Sequence, residues 1–190
     1  MSATPPVTAA AAERVADVDW ASWRPNDYAT LLFVHSGGRL LLIEKKRGLG
    51  AGLINAPGGK LDPGETPRQA ALREVHEELC VQAWPPRWCG EHRFQFRDGY
   101  AMHVHVYLSE GCDGTPTETD EAIPMWVDAD AVPYQRMWPD DVLWMPLMLR
   151  GQRFSGHYLF DGGAMVDVDI RCLDDDEADL DIGFTPGSSA

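Results

Sequence analysis

Three glutamates near the middle of the chain are the residues best suited to chemistry. Glu74, Glu77 and Glu78 are three and four residues apart, which places them on one face of a helix. Carboxylates crowded in this way repel one another unless a cation lies between them. A hard divalent ion such as Mg²⁺ is held by oxygen ligands and keeps positions for phosphate oxygens. The spacing therefore predicts a metal site suited to displacement at a phosphorus atom. The alternative is an acidic helix face that is simply exposed to solvent.

A glycine loop and a helix must position these carboxylates. The segment that begins at Gly58 reads GGKLDPGETPRQAALREVHEELCV. Thr66 is a good N-cap, Pro67 suits the first helical position, and Gln69 completes a capping box, so we predict a helix over 66–79. A solvated acidic face does not explain the glycine loop that precedes this helix.

Apolar and β-branched segments on both sides of this helix predict strands, and a second helix is expected near the end of the domain. Strands and helices mix without strict alternation, which favours an α+β sandwich over a doubly wound sheet. The predicted strands are 28–35, 39–45, 89–97, 101–109, 122–128, 155–160 and 164–170, and the second helix is 139–150, with Pro146 inside it.

Length and charge limit the classes of protein that are compatible with the chain. A chain of 190 residues suits one domain with tails. We expect an N-terminal extension over 1–27, partly disordered, a domain over 28–170 and an acidic, flexible tail over 171–190. A net charge of −14 argues against binding of nucleic-acid polymers. The chain shows no apolar run of membrane-span length and no secretory signal, and its four cysteines form no close pair, so we expect a cytoplasmic protein.

The segment 59–81 resembles the Nudix box, a pattern of Gly, five residues, Glu, seven residues, Arg-Glu, an apolar residue, any residue, Glu-Glu, any residue, Gly and an apolar residue. The resemblance implies the fold of that family, an α/β/α sandwich with a mixed β-sheet between helices. Cys80 stands where the family has glycine. Either Cys80 adopts the left-handed conformation, at a cost of about 1 kcal/mol, or the helix runs on. The matching positions are Gly59, Glu65, Arg73, Glu74, Val75, Glu77, Glu78 and Val81.

The resemblance also implies roles for the acidic residues. Glu74 and Glu78 are expected to bind Mg²⁺, with Mn²⁺ as an alternative ion, helped by the Gly58 carbonyl. Glu77 is expected to be a further ligand or the base that deprotonates water. Glu121, in TETDE, matches an acidic residue that approaches the metal and takes part in catalysis, or it is an ordinary loop acid. The structural positions of the motif are Gly59, Glu65 and Arg73, of which the last two are expected to pair.

Three segments outside the box resemble the Nudix branch that hydrolyses oxidised purine nucleoside triphosphates: KKRGLGAGLINAPGGK at 45–60, GTPTETDE at 114–121 and MWPDDVLWMPL at 137–147. In that branch the last segment reads the base. Trp138 is then expected to stack on the purine, with Asp140, Asp141 and Asn55 at its hydrogen-bonding edge. The alternatives are a core aromatic residue and two helix N-terminal charges. Further substrate contacts are expected from Thr30, Lys45 and Met102. The animal enzymes of this branch have aromatic residues at three positions that are Leu49, Ile54 and Pro57 in this chain.

The function expected from this resemblance is metal-dependent hydrolysis of oxidised purine (deoxy)nucleoside triphosphates to the monophosphate and pyrophosphate, which would cleanse the nucleotide pool. One alternative is a Nudix pyrophosphatase that acts on ADP-ribose or a dinucleoside polyphosphate. Another is a non-catalytic nucleotide-binding module. The expected partner is a nucleoside triphosphate, without a nucleic-acid polymer or a membrane, and the expected assembly is a monomer or a homodimer.

Overall fold

The structure is a computed structural model that describes residues 9–174. Two short 3-10 turns at Ala9–Ala11 and Val15–Asp17 precede the first strand, and a third lies at Tyr134–Arg136. The strands and helices are β1 (Asp27–Ser36), β2 (Arg39–Lys45), β3 (Ile54–Asn55), α1 (Pro67–Leu79), β4 (Gln82–Ala83), β5 (Arg87–Phe96), β6 (Ala101–Ser109), β7 (Cys112–Asp113), β8 (Ala122–Asp128), α2 (Asp141–Leu149), β9 (Phe154–Asp161) and β10 (Ala164–Cys172).

A mixed sheet of eight strands forms the centre of the described chain. Its order is β10-β9-β5-β6-β1-β2-β3, and β8 pairs with β2 along its other edge. β1 lies parallel to β6 and β5 lies parallel to β9, while the remaining pairs in this sheet are antiparallel. β4 and β7 form a separate two-stranded sheet. The expected mixed sheet is thus confirmed.

The two helices cover opposite faces of the sheet because successive strand residues point to opposite sides. On one face Leu32 and Val34 pack against α1 through Val75, among other buried residues. On the other face Phe33 packs with Trp144 of α2. This arrangement confirms the α+β sandwich with helices on both sides of the sheet.

Helix α1 begins and ends as its sequence dictates. Thr66 accepts a hydrogen bond from the Gln69 N–H at 3.3 Å, and the Gln69 side chain accepts one from the Thr66 N–H at 2.9 Å, which completes the capping box. Cys80 follows the helix with φ 59° and ψ 27°, in the left-handed region. Of the two outcomes left open for Cys80, the structure therefore shows the left-handed cap, and the helix does not run on.

Helix α2 is shorter than the segment 139–150 predicted from the sequence, because Asp140 only caps it and Arg150 has left it. Pro146 lies inside the helix and leaves the carbonyl of Val142 without its usual donor. Val142 itself is exposed, and the helix continues through the proline to Leu149.

Residues 9–23 form an N-terminal strap that lies on the α1 side of β9. Ala12 and Val15 are buried with Leu159, and the Val15 N–H donates to Asp167 at 2.7 Å. The Trp20 ring packs on His157 with 4.3 Å between centroids. Part of the segment expected to be an extension is therefore packed on the sheet.

The flexible acidic tail was expected over 171–190. Residues 175–190 lie outside the described residues, and strand β10 continues to Cys172. Among residues 9–174, no helix is long and apolar enough to cross a membrane.

Candidate active site

The loop that carries Gly58 and Gly59 passes so close to its neighbours that a side chain at Gly58 would meet backbone and one at Gly59 would meet the Glu74 carboxylate. A Cβ on Gly58 would lie 2.0 Å from the Thr30 carbonyl oxygen, and one on Gly59 would lie 2.4 Å from Glu74 Oε1. The Gly59 carbonyl accepts a hydrogen bond from the Thr30 N–H at 2.8 Å, and the Gly58 N–H donates to Glu78 Oε2 at 2.9 Å. The loop is thus held between β1 and the carboxylates of α1.

Arg73 braces this loop against the helix. Its Nε and Nη2 donate to the two Glu65 oxygens at 2.8 and 2.9 Å, so the pair is bidentate. Its Nη1 donates to Glu74 at 2.9 Å and to Glu77 at 3.0 Å. A single guanidinium therefore links the loop acid Glu65 to two of the three helix carboxylates.

Glu74 and Glu78 are carboxylates held in surroundings that disfavour their charge. Glu78 is 1% exposed, and burial raises its pKa to about 7 although Lys45 Nζ lies 3.8 Å from Oε1. Burial also raises the pKa of Glu74, against the effect of Arg73. The buried Glu78 and the partly buried Glu74 supply hard oxygen donors, and such donors fit a divalent cation such as Mg²⁺.

Glu77 and Glu121 lie apart from this buried pair. The Glu77 side chain is 57% exposed and turned toward Arg73. Glu121 lines the adjoining cavity, but its side chain is paired with Arg47. Within residues 9–174, no three acidic, histidine or cysteine side chains are already grouped as a metal site. The donor chemistry fits a divalent ion, whereas full convergence of the ligands requires a side-chain movement.

A cavity of about 690 Å³ opens beside the carboxylates and extends under α2. Near Gly58 it is lined by polar and charged groups, among them Lys45 and Glu121. Its other wall is aromatic and apolar. Every substrate-contacting residue predicted from the sequence lines this cavity, namely Thr30, Lys45, Asn55, Met102, Trp138, Asp140 and Asp141.

Asp140 and Asp141 form a buried acidic pair at the aromatic end. Asp140 accepts a hydrogen bond from the Trp144 indole N–H at 3.2 Å, and Asp141 accepts one from the Trp138 N–H at 3.0 Å. Burial raises the pKa of Asp140 to about 6, and burial together with the Asp140 charge raises the pKa of Asp141. Asp140 caps α2 and Asp141 lies in its first turn, but the raised pKa values favour a neutral carboxyl beside an ionised one. Such a pair can offer a donor and an acceptor together.

Trp138 lies at the mouth of this aromatic end. Its ring is edge-on to Phe160 with 6.1 Å between centroids, and it is only partly buried. A Cβ on Gly50 would lie 3.1 Å from its Nε1, so the glycine turn passes directly against the indole. Asn55 uses its Oδ1 to accept the Ala56 N–H at 2.8 Å, which leaves its NH₂ group for a ligand.

The aromatic wall contains residues that the sequence analysis did not select. Phe94 and Phe96 on β5 face the cavity together with Met102 and Val104 on the neighbouring β6. Their two-residue alternation, which His92 shares, placed them on one face once the strands 89–97 and 101–109 were predicted. Other cavity residues without such a signal are Arg47, Lys60, Tyr100, Trp144 and Phe160.

This fold and this carboxylate site define a Nudix hydrolase. Residues 25–148 match the NUDIX domain family, and the chain therefore belongs to it.

The chain is similar to two characterised proteins over most of their length. It is 44% identical to the oxidized purine nucleoside triphosphate hydrolase of Danio rerio, over 70% of this chain and 86% of the relative. It is 38% identical to the protein of the same name from Mus musculus, over 76% of this chain and 94% of the relative. Among solved structures, the mutator MutT protein of Bacillus halodurans superposes with a TM-score of 0.68 at 22% identity, covering 77% of this chain and 97% of that protein. That last likeness concerns the fold alone.

Proposed function

We propose that this protein hydrolyses oxidised purine (deoxy)nucleoside triphosphates to the monophosphate and pyrophosphate. The observation that carries the proposal is one cavity with two different ends. The buried Asp140–Asp141 pair and Trp138 lie at one end, and the Gly58 loop with its carboxylates adjoins the other. The names of the Danio rerio and Mus musculus relatives, which cover most of the domain, support the same substrate class.

The base would be read by groups of opposite hydrogen-bonding character. A protonated carboxyl of the pair donates and its ionised neighbour accepts, while the Asn55 NH₂ group donates from another side. Oxidation of a purine changes which groups on its edge donate hydrogen bonds and which accept them. Two adjacent carboxyls, either of which can hold the proton, can match such a base. Trp138 supplies a flat apolar surface for stacking.

The phosphate chain would lie toward Lys45 and the Gly58 loop, where a cation and backbone groups face the cavity. We propose Mg²⁺ as the ion, held by Glu74, Glu78 and the Gly58 carbonyl, with Mn²⁺ as a substitute ion. Glu77 and Glu121 are proposed as further ligands. When bound, such an ion supplies positive charge to the phosphate oxygens and the attacking water. Glu77 and Glu121 are the acids available to accept the proton of that water, and Arg73 holds Glu77 in place.

The setting we propose is the cytoplasm, which contains the nucleotide pool and keeps thiols reduced. The four cysteines are free in the structure, in agreement with that setting.

A nucleotide panel tests this function. The protein with Mg²⁺ is incubated with oxidised and unmodified purine triphosphates, ADP-ribose and a dinucleoside polyphosphate. Hydrolysis is measured from the nucleotide products separated by chromatography, with pyrophosphate release measured in addition for the triphosphates. We expect kcat/KM to be highest for oxidised purine triphosphates. Equal slow turnover of all nucleotides, or a preference for ADP-ribose, would contradict the substrate assignment. The Glu78→Gln variant is the control for metal dependence, and we expect it to stay folded and to lose at least about 100-fold in kcat.

A further inference from the structure

Each carboxylate assigned to the metal has a basic side chain beside it in this structure. Arg73 donates to Glu74, Lys45 lies 3.8 Å from Glu78, and Arg47 pairs with Glu121. These contacts compete with a metal ion for the same oxygens. Binding of the ion therefore requires that some of these cations move.

Arg47 is the cation best placed to move. Its side chain is 63% exposed, that of Glu121 is 43% exposed, and both line the cavity. An ion pair with this exposure contributes little to stability, so a better anion readily displaces it. Arg73 differs, since the bidentate pair with Glu65 and a bond to the Lys60 carbonyl fix it.

The backbone around Arg47 keeps it next to Glu121 while the arginine side chain stays free to turn. The Lys46 N–H donates to the Glu121 carbonyl at 2.8 Å, which ties the two loops together. Arg47 is followed by a turn in which Gly48 and Gly50 have φ values of 77° and 81°. A guanidinium at this position can bind a carboxylate or, bidentately, a phosphate group.

We propose that Arg47 couples triphosphate binding to metal binding. It pairs with Glu121 before the substrate enters, and it transfers to the phosphate chain when the nucleotide binds, which frees Glu121 for the metal. The inference rests on the proposed function in one respect, that the substrate carries a polyphosphate. It does not depend on which base the nucleotide carries. By linkage, the nucleotide then raises the affinity for the metal and the metal raises the affinity for the nucleotide.

The proposal predicts opposite effects of Arg47→Ala on the two ligands. With Glu121 released, Mn²⁺ measured by electron paramagnetic resonance without nucleotide should bind about two- to fivefold more tightly, the range expected for loss of an exposed ion pair. The KM for the triphosphate should rise about tenfold or more, because a charge-assisted contact to phosphate is lost. Arg47→Lys, which keeps the charge, should show near-normal Mn²⁺ binding and an intermediate KM.

Two controls separate this coupling from a general change of charge. Arg136→Ala removes an arginine of similar exposure, 54%, which pairs with Glu44 at 2.7 Å outside the cavity, and should change neither quantity. In the double variant Arg47→Ala/Glu121→Gln the gain in Mn²⁺ affinity should disappear.

Several results would overturn the proposal: unchanged or weaker Mn²⁺ binding by Arg47→Ala, a gain that persists in the double variant, or equal effects of Arg136→Ala. The Mn²⁺ measurement uses no nucleotide. If the protein showed no preference for oxidised purines, the proposed substrate would be wrong. The Mn²⁺ measurement would still decide the role of Arg47.

Discussion

Buried acids of this protein differ in pKa because their neighbours differ. Burial alone would raise the pKa of Glu91, but a hydrogen bond and charge from His103, with Arg93 beside it, lower it to about 2. At Asp140 the effect of burial dominates, and its pKa rises to about 6. At the scale of the residue, the balance between burial and charged or hydrogen-bonding neighbours decides which acid can carry a proton near neutral pH.

Asp140→Asn tests that proton. Because the folded-state pKa of Asp140 is raised above its unfolded value near 3.8, the native state binds the extra proton, and stability is lost as the pH rises from about 4 through 6. The variant cannot ionise there, so its free energy of unfolding relative to wild type should increase across this range by roughly 1–3 kcal/mol. Denaturant unfolding at several pH values measures the difference. An equal increase in the exposed control Asp130→Asn would contradict this origin.

At the scale of the element, the box is a loop and a helix whose ends are specified separately. The capping box sets the start of α1, and the left-handed Cys80 sets its end, where the N–H of Cys80 donates to the His76 carbonyl at 2.9 Å. A residue with a Cβ is strained at φ 59°, so the left-handed cap forms here although the backbone of Cys80 disfavours that conformation.

Cys80→Gly should therefore stabilise the protein by about 0.5–1 kcal/mol and leave kcat unchanged, since Cys80 is exposed and carries no ligand. Chemical denaturation gives the free energy of unfolding. Cys80→Ala is the matched variant, because it removes the thiol but keeps the Cβ, and it should show no gain. A gain of the same size in Cys80→Ala would mean that the thiol, and not the backbone, was the source of strain.

At the scale of the whole molecule, the cavity and the N-terminal strap occupy opposite faces of the sheet. Leu159 faces the strap, whereas the next residue, Phe160, lines the cavity. Trp23 of the strap donates its indole N–H to Gln95 at 3.0 Å, and the neighbouring Phe96 again lines the cavity. The strap thus covers apolar surface behind the site without entering it.

Deletion of residues 1–23 should lower stability by roughly 2–4 kcal/mol, since Leu159 and the strand around it lose their apolar cover. The KM for the triphosphate should stay within about twofold of wild type. Thermal unfolding and steady-state kinetics measure the two quantities, and deletion of residues 1–8 alone serves as the control. A large rise in KM with little loss of stability would show that the strap acts on the site instead.

Local signals in the sequence determined the box and most of the elements. Helix α1 has its capping box and its carboxylate spacing within one short segment, so the sequence predicted its course and placed three candidate functional glutamates on it. The long strands were likewise predicted within a few residues, because alternation and tight turns are local. The family resemblance predicted which residues outside the box would contact a substrate, and each of those residues lines the cavity.

Only the tertiary structure decided which acids of the site have a raised pKa and which are paired with a cation. The raised pKa of Asp140 arises from burial under α2, and the placement of Glu121 depends on Arg47 from another loop. Such burial and pairing join residues far apart in the chain, and neither composition nor spacing encodes them. The sequence therefore predicted which carboxylates could serve a metal and a base, whereas the fold determined which of them have a raised pKa and which are paired with a cation.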